Sequence, residues 1–511
     1  MSDIAIELKG IDKSFGPVHA NKNINLKVRK GSIHGIIGEN GAGKSTLMSI
    51  LYGFYQADRG EIFVDGKKIT IRDPNAAIAA GIGMVHQHFM LVENFTVLEN
   101  VMLGAEGAAV LNRGIVNARA ELKRLEEEYE MEVNPDAIIE ELPVGLQQRV
   151  EILKAFYRKA DILILDEPTG VLTPAEADHL FRILAQLRDE GKTVILITHK
   201  LREIMAITDE VSVMRRGEMV ASRKTSETNV EELAELMVGR RVLLNVEKGV
   251  ALPKEVRLSV KDLTVKDSRG VTMVENVSFE VRAGEIVGIA GVAGNGQSEL
   301  LEAIAGMRSA VQGEVMLNGK STDVTGPGDP ADLRARKLGH VSEDRHHTGL
   351  VLQFEEAENA ILGYHGSPEY LRGGLYNMNA IREAATVEIE KYDIRPPNPR
   401  LKTANFSGGN QQKIVLAREM ERDPDVLIIG QPTRGVDVGA IEFIHKRIIE
   451  MRDQGKAVLL VSVELDEIRS LSDRILVMFD GRIVGERTPD TSESEIGLLM
   501  AGIEGKMEAA E

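Results

Sequence analysis

Near the start of the chain, glycines, a lysine and a serine follow the spacing G-x-x-x-x-G-K-S. The residues are Gly38, Glu39, Asn40, Gly41, Ala42, Gly43, Lys44 and Ser45, and Thr46 follows them. Glycines let backbone N–H groups approach phosphate oxygens, and a helix that begins there adds positive potential. Lys44 can reach the outer phosphates of a nucleotide, and the Ser45 hydroxyl can ligate magnesium. Because an apolar strand pattern precedes the motif and a helical pattern follows it, we expect a phosphate-binding loop rather than a chance glycine-rich turn.

Two carboxylates stand at the end of an apolar run further along the chain. The run ILIL at 162–165 is followed by Asp166 and Glu167. Behind a phosphate-binding loop, we expect Asp166 to hold magnesium through water and Glu167 to act as the general base on an attacking water. An isolated pair of this kind could equally be a solvated strand end. The loop upstream favours hydrolysis of a nucleoside triphosphate.

The chain carries this pattern twice. The segment from Asn21, NKNINLKVRKGSIHGIIGENGAGKS, resembles VENVSFEVRAGEIVGIAGVAGNGQS from Val274. The segment LPVGLQQRVEILKA from Leu142 matches FSGGNQQKIVLARE from Phe406. We therefore predict a duplicated domain, 1–245 and 256–511, with a short linker at 246–255. Apolar strands that end in loops and open helices predict an α/β core with a largely parallel sheet.

Composition limits the partners that this chain can have. The 511 residues carry a formal net charge of −17 and include no cysteine. Nucleic-acid binding depends on neutralising phosphates with basic residues, so this balance argues against a nucleic-acid partner. The start of the chain has neither a basic leader nor an apolar core, and no apolar run approaches the roughly 20 residues of a spanning helix. We expect no secretory signal and no membrane crossing, although the chain could dock on a membrane protein.

Over almost its whole length the chain resembles the ATPases of ATP-binding cassette (ABC) transporters. The resemblance implies two tandem P-loop NTPase domains, each with a helical subdomain, that bind ATP and Mg²⁺. It implies that Gln87 senses nucleotide, ligates magnesium and touches the membrane subunit, and that His199 is the switch histidine. Phe15 matches the aromatic that stacks on adenine, although a core position is the alternative for a phenylalanine there. The signature that contacts ATP from the opposite cassette matches Ser407, Gly408, Gly409 and Gln411.

The second half departs from the family pattern where the chemistry needs charge. The replacements are Gln297 for Lys44, Glu343 for Gln87, Gly430 and Gln431 for Asp166 and Glu167, Val463 for His199, and Ser268 for Phe15. In the first half only the signature is altered, because Pro143 stands where its serine belongs. ABC cassettes pair head to tail, which implies one complete site, from the first loop and the second signature. The other site lacks a base, but it could still bind nucleotide as a clamp.

Fused cassettes with one degenerate site resemble the bacterial simple-sugar uptake branch, and MVHQHFMLVENFTVLENVMLG is similar to nucleoside importers. The resemblance implies a peripheral subunit on the cytoplasmic face of the inner membrane. It would drive two integral-membrane permease subunits and, through them, an extracytoplasmic substrate-binding protein, without touching nucleic acid or the transported substrate. One alternative is a soluble tandem-cassette translation factor that binds ribosomes. Such proteins usually keep two competent sites and a long charged linker. The other alternative, a non-catalytic scaffold, is disfavoured by the complete first site.

Overall fold

The chain divides into two compact units. The structure is a computed structural model that describes residues 3–16, 18–86, 90–104, 111–129, 131–142, 144–169, 172, 174–241, 246, 248–267, 269–292, 294–326, 328–436 and 438–503. The units are Met1–Val242 and Leu243–Glu511, and each has a hydrophobic core of its own. The domain limits 1–245 and 256–511 and the linker at 246–255 stay predictions.

The first unit alternates strands and helices. Its strands β1 to β10 are Ile4–Phe15, Val18–Arg29, Ile33–Gly38, Arg59–Val64, Lys67–Ile69, Ile82–Val85, Ile162–Asp166, Thr193–Ile197, Glu210–Arg215 and Glu218–Lys224. Its helices α1 to α8 are Lys44–Tyr52, Pro74–Ala79, Val97–Met102, Leu111–Tyr129, Val144–Tyr157, Pro174–Asp189, Leu201–Ile207 and Val230–Val238. Short 3-10 turns lie at Ile139–Glu141 and Thr225–Glu227.

The described residues of the first unit form two sheets. One has the order β10-β9-β3-β8-β7-β6, in which β9, β3, β8, β7 and β6 are parallel and β10 is antiparallel. Its central strand β3 is buried at every position, as expected for a parallel strand covered on both faces. The second sheet is antiparallel, with the order β2-β1-β4-β5. The carboxyl ends of β3, β8 and β7 therefore meet along one edge.

The second unit repeats this plan. Its strands β11 to β22 are Val256–Lys266, Thr272–Arg282, Glu285–Ala290, Gln312–Leu317, Lys320–Thr322, Leu338–Val341, Leu371–Arg372, Leu375–Tyr376, Val426–Gly430, Ala457–Ser462, Arg474–Phe479 and Arg482–Arg487. Its helices α9 to α16 are Gln297–Ile304, Pro330–Ala335, Glu356–Ala360, Met378–Lys391, Gly408–Met420, Val438–Asp453, Leu465–Leu471 and Glu493–Met500. Shorter helical turns lie at Arg345–Gly349, Pro368–Tyr370 and Thr403–Asn405.

The two main sheets have the same topology. Read from the antiparallel edge, β22-β21-β13-β20-β19-β16 corresponds strand for strand to β10-β9-β3-β8-β7-β6. The predicted α/β fold with a largely parallel sheet in each half is confirmed. In both units, helices connect the edge strand to the strand beside it, α3 to α5 in the first and α11 to α13 in the second. Within the described residues, no helix is long and apolar enough to cross a membrane.

A candidate nucleotide-hydrolysis site

The glycine-rich loop joins the end of β3 to the start of α1. Gly43, the N-cap of that helix, has a φ of 98°, in the left-handed region that side chains disfavour. A Cβ at Gly43 would clash with the Ala20 carbonyl oxygen, and the Asn21 side chain donates a hydrogen bond of 3.0 Å to the Gly43 carbonyl. The β1–β2 hairpin therefore packs directly against the loop. The loop conformation needs a glycine at this position.

Lys44 lies over the loop that it follows. Its ammonium donates to the carbonyl oxygens of Gly38, at 2.6 Å, and Glu39, at 3.0 Å, and the residue is only 6% exposed. A buried ammonium held over a loop of backbone N–H groups makes the site strongly attractive to anions. The arrangement suits the outer phosphates of a nucleotide.

Asp166 is the last residue of β7 and lies beside the loop. Its carboxylate accepts a hydrogen bond from the Ser45 hydroxyl. Burial raises the pKa of the Asp166 carboxyl to about 6; the Glu167 charge acts in the same direction, and the Ser45 hydrogen bond and the Lys44 charge oppose it. A hydroxyl and a carboxylate oxygen in contact are the oxygen donors that magnesium prefers. Ser45 and Asp166 thus fit the magnesium site predicted for them.

Glu167 occupies a strained position just after β7. Its φ is 50°, and its N–H donates to the Ile197 carbonyl at 2.8 Å, which ties it to the end of β8. The His199 Nδ1 lies 3.0 Å from the Glu167 Oε1. Burial alone would raise the pKa of Glu167, but the His199 hydrogen bond and charge, with Lys44 and Lys200, bring it below its usual value. Glu167 is therefore held as a charged carboxylate, as a general base requires.

Phe15 lies at the exposed tip of the β1–β2 hairpin. It is 42% exposed, so the alternative of a core position is wrong. The Tyr55 ring meets it edge-on, with ring centroids 5.1 Å apart, and the Lys13 ammonium lies 5.4 Å from the Phe15 centroid. An exposed aromatic on the hairpin that contacts the loop suits stacking on a base. Sequence analysis did not identify Tyr55 as part of the site. The sequence points to it only through the adjacent aromatic residue, Phe54.

The second unit presents the signature segment at the start of α13. Ser407 is the N-cap, and its hydroxyl oxygen accepts from the Asn410 side-chain amide at 2.9 Å. A Cβ at Gly408 would lie 2.9 Å from the Gly435 carbonyl oxygen, so the backbone disfavours a side chain there, and Gly409 is buried in the first turn. Gln411 is buried as well. Its amide donates to the Thr403 and Phe406 carbonyls and its oxygen meets the His346 ring, so it positions the turn.

The second unit keeps the backbone of the site without its charged groups. Gly296 has a φ of 97°, matching Gly43, and Gln297 begins α9 as Lys44 begins α1. Gln431 has a φ of 48°, close to that of Glu167, and its N–H donates to the Val461 carbonyl at 2.8 Å. The Val463 N–H donates to the Gln431 side-chain oxygen at 3.2 Å. The scaffold of a nucleotide site persists without a lysine, an aspartate or a base.

Some predicted positions lie outside the described residues. Gln87, Pro143 and Ser268 are among them. Of the remaining predicted residues, the first unit brings together the loop 38–46, Asp166, Glu167 and His199, with Phe15 on the hairpin beside them. Ser407, Gly408, Gly409 and Gln411 lie together in the second unit. Their roles toward ATP and magnesium stay predictions.

Comparisons with known proteins agree on one family. The ABC transporter family profile matches residues 21–170 and 274–434. The nucleoside import ATP-binding protein NupA of Lactococcus lactis subsp. cremoris (strain MG1363) is 49% identical over 98% of this chain and 99% of its own length. The guanosine import ATP-binding protein NupO of Bacillus subtilis (strain 168) is 50% identical over 98% of both chains. The archaeal ribosome recycling factor aABCE1, solved with the ribosomal stalk protein aP1, shares the fold at 19% identity, with a TM-score of 0.61 over 94% of this chain and 90% of that one.

Proposed function

The chain belongs to the ABC transporter family, and on that premise we propose that it is the ATP-hydrolysing subunit of an importer for nucleosides or simple sugars. The observation that carries the proposal is the cluster of the loop 38–46, Asp166, Glu167 and His199 in the first unit, in a chain about half identical to nucleoside import proteins over 98% of its length. The predicted family resemblance is confirmed by the same comparisons.

The chemistry proposed for the first loop is hydrolysis of the γ-phosphate bond of ATP. Lys44 and the loop N–H groups hold the outer phosphates, and magnesium bound by Ser45 and Asp166 would neutralise charge that develops on them. Glu167 orients a water and takes its proton as the water oxygen attacks the γ-phosphorus and the bond to the bridging oxygen breaks. His199 keeps the Glu167 carboxylate in place through the 3.0 Å contact. Phe15 holds the adenine.

We infer from the family resemblance that the signature of the second cassette completes this site. Ser407, Gly408 and Gly409 would contact the γ-phosphate held by the first loop, as the head-to-tail pairing of the family implies. The distribution of substitutions between the two halves supports this pairing. The composite site of the first loop and the second signature retains all of its motif residues, whereas the site of the second loop and the first signature has substitutions in both segments. Gln87 would ligate magnesium and transmit closure to the membrane subunit.

The partners follow from the import function. Two integral-membrane permease subunits would bind the chain at the cytoplasmic face of a bacterial inner membrane, and an extracytoplasmic substrate-binding protein would deliver the cargo. The transported substrate and nucleic acid would not touch this chain. The ribosome-associated alternative has no observation in its favour, because the likeness to the recycling factor, at 19% identity, is one of fold.

Two measurements test the proposal. Uptake of labelled guanosine, ribose and xylose is compared in cells that carry the wild-type chain or Glu167→Gln, expressed at equal levels. We expect uptake of one cargo class to be lost with Glu167→Gln, since removing a general base costs about 10²–10⁴-fold in rate. Purification from solubilised membranes should recover permease subunits with both chains. Recovery of ribosomes instead, with uptake unchanged, would overturn the proposal.

A further inference from the structure

A glutamate that follows His199 by four residues bridges two threonines beside the proposed base. Glu203 lies in the first turn of α7. The Thr169 hydroxyl donates to the Glu203 Oε1 at 2.5 Å, and the Thr198 hydroxyl donates to the Oε2 at 3.2 Å. Both threonines are almost completely buried, with 3% and 1% of their surface exposed. One carboxylate thus joins the segment after β7 to the segment after β8.

The bridged threonines flank the two residues proposed for proton transfer. Thr169 is the second residue after Glu167, and Thr198 directly precedes His199. The contact of 3.0 Å between Glu167 and His199 joins the same two segments as the bridge through Glu203. The bridge therefore limits how far these segments can separate, and with it the distance between the proposed base and its histidine.

The turn that carries His199 is fixed through the hydroxyl of Thr198. The Thr198 oxygen accepts a hydrogen bond of 3.0 Å from the Lys200 N–H, while its proton is donated to Glu203. A hydroxyl that accepts on one side and donates on the other uses both of its bonding capacities, which favours one rotamer. The two contacts of Thr198 thus enclose the backbone of His199.

The second unit has the same carboxylate in a different pairing. Glu467 lies in the first turn of α15 as Glu203 lies in that of α7, and Ser462 keeps a hydroxyl before the position of the switch histidine. The Glu467 Oε1 lies 2.9 Å from the Nε2 of His445 on α14, and its Oε2 has no hydrogen-bond partner among the described residues. The first unit has Phe181 at the position of His445. A carboxylate in the first turn stabilises either helix, so that effect does not account for the bridge.

We propose that Glu203 is a positioning residue for ATP hydrolysis, which holds Glu167 and His199 in reacting geometry by joining the segments that carry them. The inference rests on the proposed ATPase function. A general base must lie within hydrogen-bond reach of the water that it deprotonates, and a misplacement of about 1 Å can cost about 10²-fold in rate. Glu203 acts through Thr169 and Thr198 and takes no part in the proton transfer.

Steady-state ATP hydrolysis of the assembled complex tests the inference, with kcat and KM determined separately. Glu203→Ala should lower kcat about 10–10²-fold and leave the KM for ATP within about twofold, because the contacts of the phosphate-binding loop are retained. Thr169→Val removes one bridged hydroxyl with little change in volume and should lower kcat about tenfold. Thr169→Ser keeps the hydroxyl and should recover most of that loss. Thr169→Val added to Glu203→Ala should cost little more, since both changes break one bridge.

The matched control is Glu467→Gln, which changes the corresponding carboxylate of the second unit and should leave kcat within about twofold of wild type. Circular dichroism midpoints and bound ATP per chain give the folded fraction of each variant, so that kcat refers to folded protein. A role confined to the stability of α7 would lower the midpoint of Glu203→Ala and leave kcat per folded chain unchanged. If Glu203→Ala does not fold, the comparison of Thr169→Val with Thr169→Ser decides.

Four results would overturn the inference. They are a kcat of folded Glu203→Ala within twofold of wild type, an equal kcat for Thr169→Val and Thr169→Ser, a change in KM alone, and a loss of kcat in Glu467→Gln as large as that in Glu203→Ala. Failure of the proposed function looks different, because the wild-type chain would then show no ATP hydrolysis in its assembled complex.

Discussion

Replacing Glu356 by glutamine should make the protein more stable at alkaline pH. Glu356 begins α11, is completely buried, and neither of its carboxyl oxygens has a hydrogen-bond partner among the described residues. Burial raises its pKa from 4.5 to about 8, and the charge of Glu388 on α12 adds to the effect. The pKa of Glu388 is itself raised to about 7, chiefly by burial. The first unit has an apolar residue, Val97, at the position equivalent to Glu356, after a matching capping box.

The direction of the pH dependence follows from the proton count. Between pH 4.5 and about 8 the folded chain keeps the Glu356 proton and the unfolded chain does not, so unfolding releases a proton. Stability is therefore highest at the acid end of this window and is lost as the pH rises through about 8. The whole shift would correspond to about 5 kcal/mol, and relaxation around the charge should reduce this to about 2–3 kcal/mol. For a unit of this size, that is about 5–10 °C in melting temperature.

Differential scanning calorimetry at pH 5.5, 7 and 8.5 provides the assay. The melting temperature of Glu356→Gln should exceed that of wild type by a margin that grows from pH 5.5 to pH 8.5, because wild type loses stability across this window and the glutamine does not titrate. Glu356→Val introduces the residue type found at the equivalent position of the first unit, and its melting temperature should show the same pH dependence as that of Glu356→Gln. Glu390→Gln, at an exposed position of α12, is the matched control and should track wild type throughout. A constant offset between Glu356→Gln and wild type at all three pH values would refute the reasoning.

Three other predictions concern the binding and hydrolysis of ATP. Lys44→Ala should reduce steady-state ATP hydrolysis of the assembled complex by about 10²-fold or more. Gln297→Ala should reduce it several-fold at most, since a neutral hydrogen bond contributes about 1 kcal/mol. Equal losses of activity in the two variants would contradict a single catalytic site. Phe15→Ala should weaken ATP binding about tenfold in a fluorescence titration, the value of one stacked base, and an unchanged affinity would exclude stacking. Ser407→Arg should stop hydrolysis while Pro143→Arg should be much milder, and the reverse order would argue against head-to-tail pairing.

The sequence predicts the main elements of the fold and of the first site because both are local signals. The loop 38–45 is contiguous, and ILIL followed by Asp166 and Glu167 marks a buried strand and its end in one stretch of chain. Each signal also appears twice, so the repeat predicts matching topology in the two halves. Phe15 was uncertain because exposure of a hairpin tip depends on packing that a single residue type does not reveal.

The residues that sequence analysis missed depend on contacts between distant segments. Glu356 lies in the run FEEAEN, which looks like a solvated acidic turn, and its burial arises from packing between α11 and α12. The link between Ser298 and Glu343 joins residues 45 positions apart. Glu343 was identified only as a substitution for Gln87. A Cβ at Gly430 would lie 3.1 Å from the Glu343 Cβ, and a list of substitutions gives no sign of this close approach.

The second unit keeps the backbone geometry of the first site, although the charged groups of the first site are replaced. A non-glycine residue in the left-handed region costs about 1 kcal/mol or more, yet Gln431 keeps a φ of 48°. A glycine there would relieve the strain, but it would lose the side-chain oxygen that accepts from the Val463 N–H. That contact joins the segments after β19 and β20, as the contact between Glu167 and His199 joins those after β7 and β8. The strain at Gln431 is thus offset by a hydrogen bond that joins the segments after β19 and β20, as the corresponding contact does in the first unit.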